Sequence, residues 1–291
     1  MKPRNWYIVL LESYRDIFTS GGRATLGFRD VGRKTPGAAT KKIAFLNQKG
    51  GVGKTTSAIN LSATLAERGY KCLIVDLDPQ GNSSTGLDVD KDSLERDLYD
   101  VIIDGYPMAD IIQDTCCDGV FVAPSTVQLA GAEVQLVSKI AREMCLKTAI
   151  STVSGEFDYV FIDCPPSLGL LTINALTAAD GVLVPIQCEF FALEGVTKIL
   201  ESIKMVQGAT NPSLDLYGIL LTMYNGRTSL CRQVEAETRG YFGDKVFKTV
   251  IPRSIRLAEA PSYGKPITQY AHLSKGAEAY ENLADEVIER G

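Results

Sequence analysis

Short apolar runs alternate with longer amphipathic stretches along most of the chain. Each run is five to eight residues long and almost continuously apolar, a pattern typical of strands buried on both faces of a parallel sheet. The stretches between most of them have helical spacing, as in residues 57–66. Strands that alternate with helices predict right-handed crossovers and an α/β fold, with a mostly parallel twisted sheet covered by helices on both faces. The predicted strands lie at residues 42–46, 71–78, 119–123, 159–163, 181–185, 216–222 and 246–250.

The chain length fits one such domain preceded by an extension. With 291 residues and 45% hydrophobic content, residues 41–291 can form a single large core. Residues 1–40 are predicted to be an N-terminal extension, in which the Gly-, Arg- and Thr-rich residues 19–40 form a linker. Residues 5–18 have two interpretations: an amphipathic surface helix, or an extension that precedes the true start of the domain. The apolar face of that helix would consist of Leu10, Leu11, Tyr14, Ile17 and Phe18.

Residues 48–56, called the phosphate loop below, have the composition of a nucleotide-binding loop. Their closing Gly53-Lys54-Thr55 matches the end of a P-loop, but Gln48 occupies the usual first glycine position and Lys49 is an additional lysine. Small residues let backbone N–H groups surround phosphate oxygens at a helix N-terminus. The motif requires a preceding strand and a following helix, and residues 42–46 and 57–66 supply them. A glycine-rich turn that binds nothing is the alternative interpretation.

Within this loop, each polar side chain has a chemical role. Lys54 can neutralise the β and γ phosphates of a nucleotide. Thr55 carries the hydroxyl that a nucleotide-bound Mg²⁺ takes as a ligand, and Thr56 can contact the α phosphate.

Carboxylates follow two of the predicted strands. In parallel sheets ligands bind at the carboxyl ends of the strands, so Asp76, Asp78 and Asp163 are candidates for a magnesium site. Asp163 ends its strand as a Walker B acid does, and we expect it to hold Mg²⁺ through water. One of Asp76 and Asp78 can reach the metal while the other faces the attacking water. We expect Asp76, like Asp163, to hold the metal through water. The alternative is that these acids only cap helices.

Charge and cysteine content restrict the possible partners. The net charge is −5, but residues 1–42 carry +6 and the remainder −11, so DNA binding would need a local basic patch. Seven cysteines without a Cys-x-x-Cys pair favour a reducing cytoplasm over a disulfide framework. We expect no membrane span, because no apolar run reaches 18 residues.

Six ordered motifs resemble those of the ParA/Soj chromosome- and plasmid-partitioning ATPases, and the resemblance covers roughly residues 41–290. It implies a P-loop NTPase of the deviant Walker A type that uses ATP and Mg²⁺. It also implies a homodimer formed on ATP binding, non-specific binding to double-stranded DNA, a ParB-like centromere-binding partner and a cytoplasmic, nucleoid-associated location. Chromosome and plasmid cargo both fit. The motifs are residues 48–56, 76–82, 128–133, 163–169, 187–195 and 251–262.

The resemblance also implies roles for individual residues. Lys49 would reach across the dimer to the partner's phosphates, and hydrolysis would then depend on dimerisation. Gly50 would lie at the dimer interface. Asp78 would position the attacking water in switch I, and Asp163 with the turn that follows it would form switch II. The implied nucleotide-binding residues of the loop are Lys49, Gly50, Gly51, Val52, Gly53, Lys54, Thr55 and Thr56, of which Lys49 and Lys54 would act in catalysis with Asp78.

Late motifs are implied to bind the base and DNA. Adenine would be contacted near Met223, Pro252 and Ser254; family members often have Asn at the last position, so the backbone of Ser254 could replace the side chain. Phosphate contacts need no reading of the bases. The candidate DNA-binding residues are Arg227 and Arg256, followed by Arg253 and Lys248.

Two related classes are alternatives. A MinD-like membrane-associated ATPase would have a basic amphipathic C-terminal helix, whereas residues 274–291 are mainly acidic. The apolar residues of this segment instead form a stripe suited to docking on the domain. Relatives that bridge a metal cluster would need thiolates. The stripe consists of Ala277, Tyr280, Leu283 and Val287, and the candidate thiolates are Cys116, Cys117 and Cys164.

Overall fold

The computed structural model describes residues 39–189 and 192–290, and the predictions made for residues 1–38 lie outside this range. The described residues form one eight-stranded sheet with the order β3-β4-β2-β5-β1-β6-β7-β8. All neighbouring pairs are parallel except β3 and β4. The strands are β1 Lys41–Phe45, β2 Cys72–Asp76, β3 Gln113–Asp114, β4 Val120–Ala123, β5 Tyr159–Asp163, β6 Gly181–Gln187, β7 Asp215–Tyr224 and β8 Val246–Pro252.

The predicted mostly parallel α/β sheet is thus confirmed, with two differences. The antiparallel edge strand β3 was not predicted, because two residues are too few to show a pattern. The run at residues 71–78 was predicted as one strand, but β2 ends at Asp76, and Leu77 and Asp78 already belong to the following loop. Asp78 therefore leaves the sheet and is free to take a position different from that of Asp76.

Helices cover both faces of the sheet. Along β1, Ala44 packs into one hydrophobic cluster, whereas Ile43 and Phe45 pack into a second cluster on the opposite face. The helices are α1 Lys54–Glu67, α2 Asn82–Gly86, α3 Leu98–Asp104, α4 Ala132–Gln135, α5 Cys145–Ser151, α6 Leu170–Ala178, α7 Ala192–Ala209, α8 Ser229–Phe242, α9 Ile255–Glu259, α10 Ile267–Tyr270 and α11 Lys275–Glu289.

Helix α11 confirms the predicted C-terminal docking helix. Its apolar stripe is buried: Tyr280 is 1% exposed, and the Tyr280 hydroxyl lies 3.1 Å from that of Ser57 on α1. The helix contacts α1 and β8, so its apolar side is already occupied within the domain. None of the helices in the described ranges is both long enough and apolar enough to cross a lipid bilayer.

Candidate functional site

The phosphate loop connects β1 to α1 through backbone geometry that depends on glycine. Gly51 and Gly53 have φ values of 72° and 91°, in the left-handed region that side chains disfavour. Gly50 is exposed, and a Cβ added there or at Gly51 would meet no atom within 4 Å. The hydroxyl of Thr222 donates to the Val52 carbonyl at 2.8 Å, which ties the loop to β7. The phosphate loop is thus fixed at the carboxyl ends of the strands, with free space beside Gly50 and Gly51.

The register of the sheet brings the two strand-end acids together. Asp76 ends β2 and Asp163 ends β5, and the two residues are direct partners in the parallel ladder. Both carboxylates are fully buried. The Thr55 hydroxyl, at the start of α1, donates to Asp163 Oδ2 at 2.6 Å. The structure therefore places Thr55, Asp76 and Asp163 at one point at the carboxyl edge of the sheet.

Hydroxyl groups of α2 hold one oxygen of each carboxylate. Ser83 donates to Asp163 Oδ2 at 2.8 Å, and Ser84 donates to Asp76 Oδ2 through its hydroxyl at 2.7 Å and its backbone N–H at 2.8 Å. Sequence reasoning missed both serines, although they directly follow the motif at residues 76–82. The other oxygen, Oδ1, has no hydrogen-bond partner among the described residues in either carboxylate.

Burial raises the pKa of both acids. For Asp76, desolvation is the largest cause, and the neighbouring Asp163 raises its pKa further. The pKa of Asp163 is also raised by desolvation, but hydrogen bonds from Thr55 and Ser83 and the charge of Lys54 oppose the increase. Two buried acids side by side are costly to ionise unless a cation is close to them.

This arrangement fits a magnesium ion and a phosphate chain. Two buried carboxylate oxygens without partners lie beside a threonine hydroxyl, and oxygen ligands are those that Mg²⁺ prefers. Lys54 is 7% exposed, and its Nζ donates to the Asn47 carbonyl at 3.2 Å, so it supplies positive charge beside the loop. The orphaned amide groups at the start of α1 add further donors for an anion.

Lys49 lies at the exposed edge of the site and is held within its own chain. Its ammonium group forms an ion pair with Glu189 and donates to Gln187 Oε1 at 3.2 Å. The side chains of Lys49 and Glu189 are 55% and 58% exposed. The amide of Gln187 also donates to the Gly51 carbonyl at 2.8 Å and to Met223 Sδ at 3.0 Å. Gln187 therefore links Lys49, the phosphate loop and Met223, a role that the sequence did not indicate.

Asp78 occupies a half-buried turn next to this cluster. Its Oδ1 accepts from the Gln80 backbone N–H at 3.0 Å, and its carbonyl accepts from the Ser125 hydroxyl at 2.7 Å. Lys91 donates to the Gln80 carbonyl at 3.0 Å. The charge of Asp78 contributes to the raised pKa of both Asp76 and Asp163. Asp78 is therefore near the carboxylate pair but more accessible than either acid.

The residues expected to contact adenine and DNA lie on two neighbouring loops. Strands β7 and β8 end at Tyr224 and Pro252, which are register partners, and the Arg253 N–H donates to the Tyr224 carbonyl at 3.2 Å. Met223 is 38% exposed with a φ of 49°, and Ser254 is the N-cap residue of α9 without a side-chain capping bond. The adenine candidates and the arginines thus share one edge of the sheet.

Three of the candidate DNA-binding side chains, Arg227, Arg253 and Arg256, are exposed at this edge. Arg227 follows β7 and Arg253 follows β8, while Arg256 lies in α9. The Nη1 atom of Arg256 is 3.4 Å from Glu259 Oε2, so part of its charge is offset. Lys248 lies within β8, away from these two loops.

Comparison with known proteins finds several whose sequences are similar to this chain. A family model described as "AAA domain" matches residues 40–216. The chain is 53% identical over 251 residues to the sporulation initiation inhibitor protein Soj of Bacillus subtilis, covering 86% of this chain and 99% of that protein. It is 50% identical to the chromosome-partitioning ATPase Soj of Thermus thermophilus, covering 87% and 97% of the two chains.

A solved structure is similar to this chain in both fold and sequence. It is the crystal structure of cobyrinic acid a,c-diamide synthase from Mycobacterium smegmatis with bound ADP and magnesium. The TM-score is 0.76 at 40% identity, and the alignment covers 86% of this chain and 94% of that one.

Proposed function

Since the chain belongs to the ParA/Soj family of chromosome-partitioning ATPases, we propose that it is a Mg²⁺-dependent ATP hydrolase that dimerises when ATP binds. The reaction would convert ATP and water to ADP and phosphate. The observation that carries this proposal is the cluster of Thr55, Asp76 and Asp163, in which two buried carboxylate oxygens without partners lie beside a threonine hydroxyl.

Different parts of the site would bind the phosphates, the magnesium ion and the base of ATP. The backbone of residues 50–53 and the start of α1 would hold the phosphates, with Lys54 neutralising their charge and Thr56 at the α phosphate. Thr55 would bind Mg²⁺ directly, and Asp76 and Asp163 would hold it through water. The base would lie against Met223, Pro252 and the backbone of Ser254. Bound Mg²⁺ would supply charge neutralisation on the phosphate oxygens.

Hydrolysis would need two further groups, one from each subunit. Asp78 is the accessible acid of the site and would orient the attacking water. Lys49 is the exposed cation beside the loop, and its position at the rim allows it to act on a second copy that faces it. Gly50 is exposed with free space around it, which suits close contact between two subunits. A cation supplied in trans would couple hydrolysis to dimerisation.

The dimer would bind double-stranded DNA without sequence preference. Arg227, Arg253 and Arg256 provide three exposed cations per subunit on adjacent loops, and a dimer doubles this number. Six phosphate contacts would give a slope of log affinity against log salt of about −5. Because the chain as a whole is acidic, these loops would carry most of the attraction to DNA.

In the cell the ATP-bound dimer would associate with the nucleoid in the cytoplasm, and a ParB-like partner would stimulate hydrolysis. A MinD-like membrane function is the other candidate. The buried apolar face and acidic surface of α11 favour the partitioning function, because they leave no basic amphipathic C-terminal helix for lipid among the described residues. Flotation with anionic liposomes, using the full chain, would decide between the two.

Two lysine substitutions in the loop test the proposal. Lys54→Ala should abolish nucleotide binding, because it removes the buried cation of the site. Lys49→Ala should retain binding of a fluorescent ATP analogue and lose hydrolysis. Lys198→Ala, which removes an exposed lysine from α7, is the matched control for charge and should behave as the wild type. Full hydrolysis by Lys49→Ala would contradict the proposed role in trans.

A further inference from the structure

Helix α6, which directly follows the turn at residues 164–169, has no capping side chain of its own. Its N-cap residue is Gly169, and there is no acidic residue in its first turn. The first N–H groups of any helix lack partners within the helix and need acceptors from elsewhere. Because α6 is largely buried, water can supply few of them.

Glu133 supplies these acceptors from a different part of the chain. Its Oε2 accepts from the Leu170 N–H at 2.8 Å, and its Oε1 accepts from the Leu171 N–H at 3.2 Å. A Cβ at Gly169 would lie only 2.6 Å from Oε2, so this approach of the carboxylate requires glycine there. The negative charge of the carboxylate is also attracted to the partial positive charge of the helix N-terminus.

The backbone that carries Glu133 is firmly anchored. Helix α4 and the 3-10 turns on either side of it, Val127–Gly131 and Leu136–Ser138, place Leu129, Ala132 and Leu136 in the core, each 0% exposed. Glu133 lies between these anchors and points to α6. Its carboxylate is therefore presented at a fixed position, as a group that positions another element must be.

The turn that Glu133 stabilises begins at the magnesium-site acid. Asp163 precedes it and α6 follows it, and the Thr172 hydroxyl donates to the Ser167 carbonyl at 2.6 Å, which ties the helix back to the turn. The connection after β4 also contacts the loop that follows β2 and carries Asp78, because the Ser125 hydroxyl donates to the Asp78 carbonyl. A single segment, residues 125–133, thus contacts both loops.

We propose that Glu133 is a positioning residue for ATP hydrolysis: it fixes the start of α6 and thereby the switch II turn at residues 164–169. This inference rests on the proposed function, since a fixed turn matters only if a phosphate is transferred beside it. Glu133 does not itself touch the reacting atoms. Its loss should lower kcat, while the affinity for ATP, which depends on the phosphate loop, should change little.

The test compares Glu133→Ala and Glu133→Gln with the wild-type full chain. Alanine removes both acceptors. The free energy of a strong helix cap corresponds to a factor of about ten, so kcat should fall about tenfold, with KM changed less than about twofold. Glutamine retains one acceptor and should recover part of the activity. Hydrogen exchange at the Leu170 and Leu171 amides should be about tenfold faster in the alanine variant and intermediate in the glutamine variant. Gln135→Ala, on the same short helix, is the control, because its side chain bonds Tyr99 instead of α6.

The outcomes separate this inference from the proposed function. If wild-type protein hydrolyses no ATP with Mg²⁺, the proposed function fails, whereas faster amide exchange would still support the contact of Glu133 with α6. If hydrolysis is normal and Glu133→Ala keeps its kcat while losing only thermal stability, the positioning role is refuted. A kcat as low in the glutamine variant as in the alanine variant would also refute it, because a cap with one remaining acceptor should recover part of the rate.

Discussion

Substituting Glu189 by glutamine should strengthen ATP-dependent dimerisation. In the structure Lys49 forms an ion pair with Glu189 and a further hydrogen bond to Gln187 within its own chain. In the dimer proposed above, Lys49 has to leave this ion pair to reach the second subunit. Glu189→Gln removes the charge and keeps the shape of the side chain, so it should release the lysine without disturbing the loop.

The size of this effect follows from the exposure of the pair. Both side chains are more than half exposed, at 55% and 58%, and ion pairs of this kind contribute roughly 0.2–1 kcal/mol. A dimer must break two of them, which gives roughly 0.4–2 kcal/mol. The dimer dissociation constant should therefore fall about 2- to 30-fold. Because Gln187 still holds Lys49, the lower part of this range is the expected result.

Sedimentation velocity in ATP and Mg²⁺ over a range of protein concentrations measures this constant. The comparison is made with Asp78→Ala in every protein, so that hydrolysis does not remove the dimer during the run. Glu281→Gln removes the same charge from an exposed position on α11 and should leave the dissociation constant unchanged. An unchanged or weaker dimer in Glu189→Gln would refute the interpretation of the ion pair as a restraint on Lys49.

Three further substitutions or conditions give distinct results. Asp78→Ala should preserve ATP-dependent dimers and abolish hydrolysis, as measured by phosphate release; continued turnover would remove Asp78 from the mechanism. Arg227→Glu combined with Arg256→Glu should spare dimerisation and ATP hydrolysis but remove salt-sensitive DNA retention in gel shifts, and unchanged shifts would exclude this surface. Burial raises the pKa of Asp163 to about 6 and that of Asp76 to about 8, so the folded nucleotide-free protein binds protons that the unfolded chain releases. The stability that comes from this proton binding is fully present below the ordinary aspartate pKa of the unfolded chain and is lost as the pH rises through the raised pKa values of the folded protein. The thermal midpoint without nucleotide should thus fall from about pH 6 to about pH 8, and Asp76→Asn should flatten this slope; a midpoint independent of pH would contradict it.

The sequence predicted those parts of the fold that local pattern controls. Buried parallel strands are continuous apolar runs, so seven strands could be recognised, whereas the two-residue β3 could not. The end of β2 was placed two residues too late, because Leu77 is as apolar as the strand before it. The structure shows that the backbone N–H of Leu77 donates to the Asp163 carbonyl at 3.0 Å, a contact with the neighbouring strand that no local pattern reveals.

In the site, glycine content and strand-end acids indicated which residues to examine, but not how they are held. No local pattern distinguishes Ser83 and Ser84, and only the register of β2 with β5 shows that they face two adjacent carboxylates. Glu133 and Gln187 belong to recognised motifs without a stated role. Each acts across 30 or more residues of sequence, on Leu170 in one case and on Gly51 in the other, so spacing alone could not assign them.

We expect ligand binding to act as a switch, because of the way in which these carboxylates are held. Serine and threonine hydroxyls fix one oxygen of each acid and leave the other without a partner, which orients both groups at the cost of keeping two ionisable acids buried. A nucleotide-bound cation would relieve this cost only in the folded state, and at 100 times its dissociation constant a ligand stabilises that state by about 2.7 kcal/mol. Because Ser83 and Ser84 lie on α2 and Asp163 leads into the switch II turn, both loops are bonded to the acids whose charge the cation would change. The conformations of the two loops should therefore depend on the bound ion, and hydrogen exchange in residues 78–86 and 164–171 should slow together when Mg²⁺ and ATP are added; protection of only one segment would show that the acids do not couple them.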